Sequence, residues 1–277
     1  MKVIHWDLLN TPESQTFFKN ICSKHKGTAL TIGGFDGPHL GHQVLFDSVL
    51  SVGAKSNLSC GVVTFVNSPG KIKNPNMYPG NVSTLTVRLA KMDELGFDFV
   101  LLIDFSGDLG RMAGGVFLEI LVKTVYMRYL AVGPDFRCGH RLDTGTAEIA
   151  ALARLEGFRF DSIPQIELDG CRISSSSIRK AIQNADFALA ENLLGHPFLL
   201  DFTAPSWEIK DNSFIAPISS FTQIVPRRGN YSVLLLGISG KPVSATMQIT
   251  EESVVLSPVS QSCLPEISQI TTVSFRL

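Results

Sequence analysis

Apolar, β-prone runs recur along the chain at residues 28–32, 61–65, 99–104, 129–133 and 158–163. Helical patterns fill most of the gaps between them. Leu45, Val49 and Val52 stand at i, i+4 and i+7, which is one helix face. Residues 116–127 are apolar enough for a packed helix. Residues 146–156 are rich in Ala, Leu and Glu, with Ile149 and Leu152 on one side. Strands that alternate with helices form βαβ units, because parallel neighbours need a long crossover. Runs that are apolar throughout, not at every second residue, belong to a sheet covered on both faces. The expected fold is therefore α/β, a Rossmann-like and mainly parallel sheet. Residues 12–21 add a helical tendency ahead of the first run.

Residues 174–194 read as a helical pair. Ser175 or Ser176 can cap the first helix and Asp186 the second, in which Leu189 and Leu193 repeat at i, i+4. Gly195 and Pro197 stop it. Beyond this point the helical period fades, and half of the 14 prolines fall after residue 196. Val243, Ala245, Met247 and Ile249 alternate with Ser244, Thr246 and Gln248, a half-buried strand, and Gly240 and Pro242 mark a turn before it. Residues 231–236, 253–256 and 270–275 are further strands. The chain thus divides into an α/β domain, 1–197, and a small antiparallel, barrel-like β domain, 198–277.

Chemistry concentrates in three stretches. Residues 31–42, TIGGFDGPHLGH, put Gly33 and Gly34 directly after a strand and His39 and His42 at the start of a helical pattern that begins by Gln43. Glycines permit close backbone approach, and histidines at a helix N-terminus suit an anion already favoured by unpaired N–H groups. On its own, the pair of histidines is equally well a turn with incidental rings. Residues 172–179, RISSSSIR, offer four serines at a helix start, with Arg179 about one turn on. Taken alone they are an over-supplied cap; taken with the histidine corner they point to a polyphosphate ligand. Residues 132–139, VGPDFRCG, follow a strand; Asp135 could accept from a base or ribose and Arg137 could contact phosphate. Lys71, Lys73 and Arg88 read as solvated side chains, and Cys138 and Cys171 as buried small hydrophobes. His5, His25, His140 and His196 have no ligand-like spacing.

Charge excludes other classes. Lys plus Arg is 24 against 25 for Asp plus Glu, a net charge of −1. That balance argues against a broad nucleic-acid or membrane surface and leaves small molecules as the expected partners. The five cysteines are scattered without a CxxC pair, so neither a disulfide framework nor a zinc site is expected. No leader-like or spanning run is visible, and a reducing, cytoplasmic setting is the default. Gly-x-Gly-x-x-Gly and Walker A patterns are missing, which disfavours a dinucleotide dehydrogenase or a P-loop enzyme.

As a set, IGGFDGPHLGH, VGPDFRCG and ISSSSIR resemble GxFDGxHxGH, VGxDFxFG and ISSTxIR of the prokaryotic FAD synthetases, in the same order and at similar separations. VVTF at 62–65, DELGFD at 93–98 and LLGHPF at 193–198 add to the likeness, which covers roughly residues 27–198. That family belongs to the HxGH nucleotidyltransferases. The resemblance implies transfer of AMP from ATP to FMN, giving FAD and pyrophosphate, with Mg²⁺ bridging phosphate oxygens largely on ligands the substrates supply. By the same resemblance His39 and His42 would hold the triphosphate and stabilise the transition state. Ser175, Ser176 and Arg179 would grip the β- and γ-phosphates. Gly33, Gly34, Phe35 and Asp36 would line the nucleotide, Asp135 would lie near the nucleotide or flavin, and Thr64, Phe65 and Arg137 would face the flavin. No protein metal ligand is expected.

Four departures stand out. Gly34 replaces a frequent Asn, Ser176 replaces Thr, Cys138 replaces Phe, and Ser68 stands where the family has a histidine. The larger departure is in 198–277. The family's bifunctional members carry a riboflavin kinase barrel with a Gly-rich segment and a PTAN motif there; this region has neither and is short for that module, although 227–236, RRGNYSVLLL, is similar to one barrel strand. It reads as a kinase-like barrel without its ATP and Mg²⁺ site, able to brace the first domain or mediate association. The alternatives are a bifunctional kinase and transferase, an adenylyltransferase with another phosphorylated acceptor, and a nucleotide- or flavin-binding protein without turnover.

Overall fold

The structure is a computed structural model that describes residues 1–68, 70–71, 77–104, 108–168, 170–237, 241–259 and 264–276. Lys73, Gly240 and Cys263 lie outside the described residues. The chain forms two compact units. One comprises Met1–Phe35, Gly41–Lys73 and Leu89–Glu167; the other comprises Asp36–Leu40, Asn74–Arg88 and Leu168–Leu277.

The first unit is built on six parallel strands: β1 (Lys2–His5), β2 (Thr28–Ile32), β3 (Ser59–Phe65), β4 (Phe99–Ile103), β5 (Met127–Val132) and β6 (Arg159–Ser162). Their order across the sheet is β1-β4-β3-β2-β5-β6. Each apolar run of the sequence is a strand. The alternation of side chains explains why the runs are apolar throughout. From β2, Leu30 and Ile32 join a core on one face with Phe99, Leu101 and Ile103 of β4 and with Phe18 and Leu118 of helices α1 (Pro12–Lys24) and α4 (Gly114–Thr124). Ala29 and Val100 point the other way, against Leu45, Phe46 and Val49 of α2 (Leu40–Ser56) and Met92 of α3 (Leu85–Glu94). Helix α5 (Thr146–Glu156) has the bounds read from sequence; Ile149 is buried and Leu152 packs on the same core.

Strand β1 escapes the sequence pattern. It is an edge strand in which Ile4 alone is buried, so it has no apolar run. Residues 116–127 were expected to be one helix. Instead α4 ends at Thr124 and Met127 opens β5, with Tyr126 turning the chain at φ 56°. Helix α2 starts at Leu40, not at Gln43. His42 therefore sits in its first turn while His39 precedes it.

The sheet order places β2 beside both β3 and β5. The chain after β2 and the chain after β5 leave in opposite directions across the sheet, which makes the carboxyl ends of these two strands a topological switch point. Ligands of open α/β sheets bind at such a point. The 31–42 stretch leaves β2 there, and the 132–139 stretch leaves β5.

The second unit contains helices α6 (Ser175–Gln183) and α7 (Phe187–Leu194) and a seven-stranded antiparallel sheet. Its strands are β7 (Leu199–Asp201), β8 (Glu208–Lys210), β9 (Ser213–Pro217), β10 (Gly229–Gly237), β11 (Val243–Ile249), β12 (Ser253–Pro258) and β13 (Ile270–Phe275), ordered β7-β13-β10-β11-β12-β9-β8. In β11, Ala245, Met247 and Ile249 are buried and the residues between them are not, as the alternation requires. Asp186 caps α7, accepting from the Leu189 N–H at 3.0 Å. The stripe on α7 differs from expectation: Leu189 is 44% exposed, while Phe187, Ala190, Leu193 and Leu194 are buried.

Close packing between β3 and β4 offers a direct test. A Cβ on Gly61 would lie 2.3 Å from the Phe99 ring. Gly61→Ala is therefore expected to overpack the core and cost about 1–3 kcal/mol. Urea unfolding measures it, and an unchanged midpoint would contradict this packing.

Candidate active site

In the first unit, Gly33, Gly34, Phe35, His42 and Thr64 gather around the carboxyl end of β2. Phe35 adopts φ 45° and turns its ring back over Gly33, where a Cβ would lie 2.8 Å from that ring. The ring is 1% exposed and packs edge-on against His42 (centroids 5.1 Å) and tilted against Phe46 (4.9 Å). Phe35 is thus a core side chain that packs against the His42 imidazole. Thr64 is fully buried, and its hydroxyl donates to the Gly34 carbonyl at 3.3 Å, tying β3 to the turn. Phe65 is half-buried against the core.

In the second unit, Asp36 organises the residues. Its carboxylate is buried and engaged on both oxygens. Oδ1 accepts from the Val82 N–H at 2.9 Å and the Ser83 N–H at 3.1 Å. Oδ2 accepts from the Tyr78 hydroxyl at 3.3 Å and from the Arg179 guanidinium. Arg179 also donates to the Gly80 carbonyl at 2.9 Å and to the Tyr78 hydroxyl at 3.0 Å, and stands over the Tyr78 ring at 5.1 Å. Gly37 adopts φ 63°, and a Cβ there would lie 2.3 Å from Val82, so the glycine of FDG is needed for both turn and clearance.

The four serines divide their work. Ser174, not Ser175 or Ser176, is the N-cap of α6. Its Oγ accepts from the Ser177 N–H, and the Ser177 hydroxyl meets the Ser174 N–H, each at 3.2 Å, a reciprocal cap. The Ser175 hydroxyl donates to the Asp36 carbonyl at 2.8 Å. Ser176 is exposed.

Arg88 corrects a sequence expectation. It is 3% exposed, not solvated. Burial pushes its pKa down, while the Asp36 carboxylate and Tyr78 push it back up. Asp36, Arg88 and Arg179 together carry a net positive charge, which suits an anion. The signal that could have found Arg88 is faint: LTVRLAKM carries two cations, Arg88 and Lys91, and the pattern does not say which is buried. His196 likewise had no sequence signal; its Nε2 lies 3.3 Å from the Pro38 carbonyl, beside His39.

His39 is 6% exposed, and burial lowers its pKa to about 4. At neutral pH the ring is therefore uncharged and carries one N–H. Asp135 and Arg137 lie on the turn after β5 and are exposed. Asp135 accepts from the Gln165 amide at 2.7 Å, and Arg137 donates to the Leu142 carbonyl at 2.8 Å. Burial raises the Cys138 thiol to about 12 and the Cys60 thiol to about 11, so neither is a thiolate near neutrality. Cys171, expected to be buried, is exposed. Among the described residues no cluster of three or more His, Cys, Asp or Glu could hold a metal ion, and no helix is long and apolar enough to cross a membrane.

The depressed pKa of His39 gives stability a pH dependence. As pH falls below 6.5 the unfolded chain takes up a proton at His39, and the folded chain takes it up only near pH 4. Stability is therefore lost as pH falls through that window, by a few kcal/mol at order of magnitude. A His39→Gln variant is expected to lose less stability between pH 7 and pH 5 than the unmodified chain. Urea titrations at the two pH values check this; equal losses would contradict the buried neutral ring.

Comparison with known proteins bears on this arrangement. The FAD synthetase family model matches residues 21–177. The bifunctional riboflavin kinase/FMN adenylyltransferase of Escherichia coli is 31% identical over 228 residues, covering 81% of this chain and 73% of that protein. The protein of that name from Haemophilus influenzae is 33% identical over 174 residues, covering 62% of this chain and 56% of its own. Among solved structures, a macrolide-efflux protein from Streptococcus pneumoniae shares the fold, with a TM-score of 0.74 at 20% identity over 90% of this chain and 92% of that one. With its TIGGFDGPHLGH corner after β2 and its ISSSSIR helix start joined to that corner at Asp36, this chain belongs to the FAD synthetase family.

Proposed function

We propose that the chain is an FMN adenylyltransferase, transferring AMP from ATP to FMN and releasing pyrophosphate. One observation carries the reading. FDGPH and ISSSSIR lie more than 130 residues apart, yet Ser175 donates to the Asp36 carbonyl and Arg179 pairs with the Asp36 carboxylate (|i−j| 139 and 143). Two anion-suited segments are thereby joined, with buried Arg88 in the same unit leaving one net positive charge.

The chemistry asks for placement more than for a covalent intermediate. A phosphate oxygen of FMN attacks the α-phosphorus of ATP in line; the new O–P bond forms as the bond to the β-phosphate oxygen breaks, and its electrons leave with pyrophosphate. Fixed donors that face the charge developing on these oxygens lower the barrier. His39 supplies a neutral N–H donor, and a triphosphate beside it would favour a second proton on the ring. His42, braced by Phe35, is the second donor. Ser176 and the backbone N–H groups at the start of α6 meet phosphate oxygens. Asp36, Ser175 and Gly37 hold Arg179 and the turn in place and so act as positioning residues. Asp135 and Arg137 face the base, ribose or flavin; Thr64 sets the turn, and Phe65 and Gly34 complete the flavin side. Described carboxylates form no cation cage, and that of Asp36 is occupied by N–H and guanidinium donors, so magnesium enters as the counterion of MgATP, a substrate.

We assign the transferase to 1–197 and no kinase activity to 198–277, because that stretch has neither PTAN nor a Gly-rich segment. The setting is cytoplasmic, where ATP and reduced thiols prevail.

The assay is incubation with MgATP and either FMN or riboflavin, followed by chromatography of the flavins. FAD from FMN without FMN from riboflavin is expected. FMN formed from riboflavin would restore the bifunctional reading, and bound flavin with no FAD would favour a non-catalytic binder. His42→Ala is expected to lower kcat/KM by about 100-fold or more while far-UV circular dichroism stays unchanged. Full activity in a folded variant would refute the role of the corner.

A further inference from the structure

The segment 80–84 carries two sets of bonds at once. Toward the site, the N–H groups of Val82 and Ser83 hold Asp36 Oδ1, and the Gly80 carbonyl accepts from Arg179. Toward the β domain, the segment is held by Gln223 and Asp201. The Gln223 side chain, in a residue 4% exposed, donates from Nε2 to the carbonyls of Val82 and Leu199, both at 2.9 Å. Its Oε1 accepts from the Asp201 N–H at 2.6 Å. Asp201, 2% exposed, accepts from the Thr84 hydroxyl. The backbones run together as well: the Asn81 N–H donates to the Thr222 carbonyl at 2.9 Å, and the Ile224 N–H donates to the Asn81 carbonyl at 2.8 Å. Gly80 permits this approach. It adopts φ 114°, and a Cβ there would lie 2.7 Å from the Ile224 nitrogen.

Val82 is the shared residue. Its carbonyl is fixed by Gln223, and its N–H is one of the two backbone donors to Asp36 Oδ1. A shift of the β domain's grip therefore moves the carboxylate that holds Arg179.

We propose that Gln223, Asp201 and Thr84 are positioning residues for nucleotide binding, so that the β domain sets the geometry of the transferase site while taking no part in the chemistry. The inference rests on the transferase reading above. It gives 198–277 a function that needs no kinase motif. Every group in the relay is buried and hydrogen-bonded, so it transmits position and not charge.

The test uses the full chain and measures kcat and KM for ATP at saturating FMN, well below each variant's melting temperature. Gln223→Met keeps volume and removes all three bonds. Thr84→Val removes the hydroxyl that Asp201 accepts, and Thr84→Ser restores it. Ser213→Ala, which removes a Ser213–Ser257 hydroxyl contact within the β sheet, is the control for a merely structural loss. Gln223→Met and Thr84→Val are expected to lower kcat/KM for ATP by about tenfold or more. Thr84→Ser and Ser213→Ala are expected to keep the value of the unmodified chain. In an Asp36→Asn background, Gln223→Met is expected to cause little further loss, because the relay ends at that carboxylate. Should Gln223→Met fail to fold, the Thr84 pair decides. Lowered melting temperatures with unchanged kcat and KM, or losses that simply multiply with Asp36→Asn, would overturn the inference alone. No FAD from the unmodified chain would overturn the transferase reading and the inference with it.

Discussion

The site depends on one buried carboxylate. Taking an ion such as Asp36 out of water costs several kcal/mol unless its lone pairs and its charge are answered. Two backbone N–H groups, a phenol and a guanidinium answer them here. Three pieces of chain far apart in sequence, 36–40, 78–84 and 174–179, are held in register by that demand. Removing any partner would leave a buried charge short of compensation, so the arrangement is specified more tightly than its few bonds suggest.

This changes what the motif residues are for. A serine-rich helix start and an arginine look like a row of phosphate contacts. In the fold, Ser174 and Ser177 satisfy the helix end, Ser175 joins the corner, and Arg179 is shared with Asp36 and Tyr78. Phe35, inside the motif, is a core ring that props His42. Much of the signature is therefore scaffold, and Ser176 is the one serine of the four that is exposed. Burial leaves the His39 ring neutral near pH 7, while Arg88 and Arg179 bring positive charge to the same unit.

The β domain fits the same logic. Its helices, its sheet and the segments 36–40 and 77–88 belong to one compact unit, so the start of the histidine motif is grouped with the sequence that departs most from the family. The seven-stranded sheet region presents Gln223 and Asp201 to the segment 80–84, which also holds Asp36. These hydrogen bonds depend on backbone position and two side chains, and on no phosphate-binding motif.

The sequence by itself determined the architecture and singled out the glycine and histidine corner. Continuous apolar runs spaced by helical patterns admit little besides a two-sided parallel sheet, and the glycine and histidine stretch after such a run points to a polyphosphate ligand only when it is taken with the serine-rich helix start. Local chemistry also announced the Asp186 cap and the β11 alternation. Strand β1 stayed hidden because one buried residue makes no pattern, and Leu189 was misplaced because it satisfies the period with Leu193 although the packed face runs through Phe187, Ala190, Leu193 and Leu194. Only the tertiary structure decided the partners: that Arg88 is buried, that Asp36 meets Arg179, and that Gln223 grips Val82. Periodicity reports which face of an element is apolar. It does not report which distant polar group will answer a buried charge, since that is fixed only when the chain has closed.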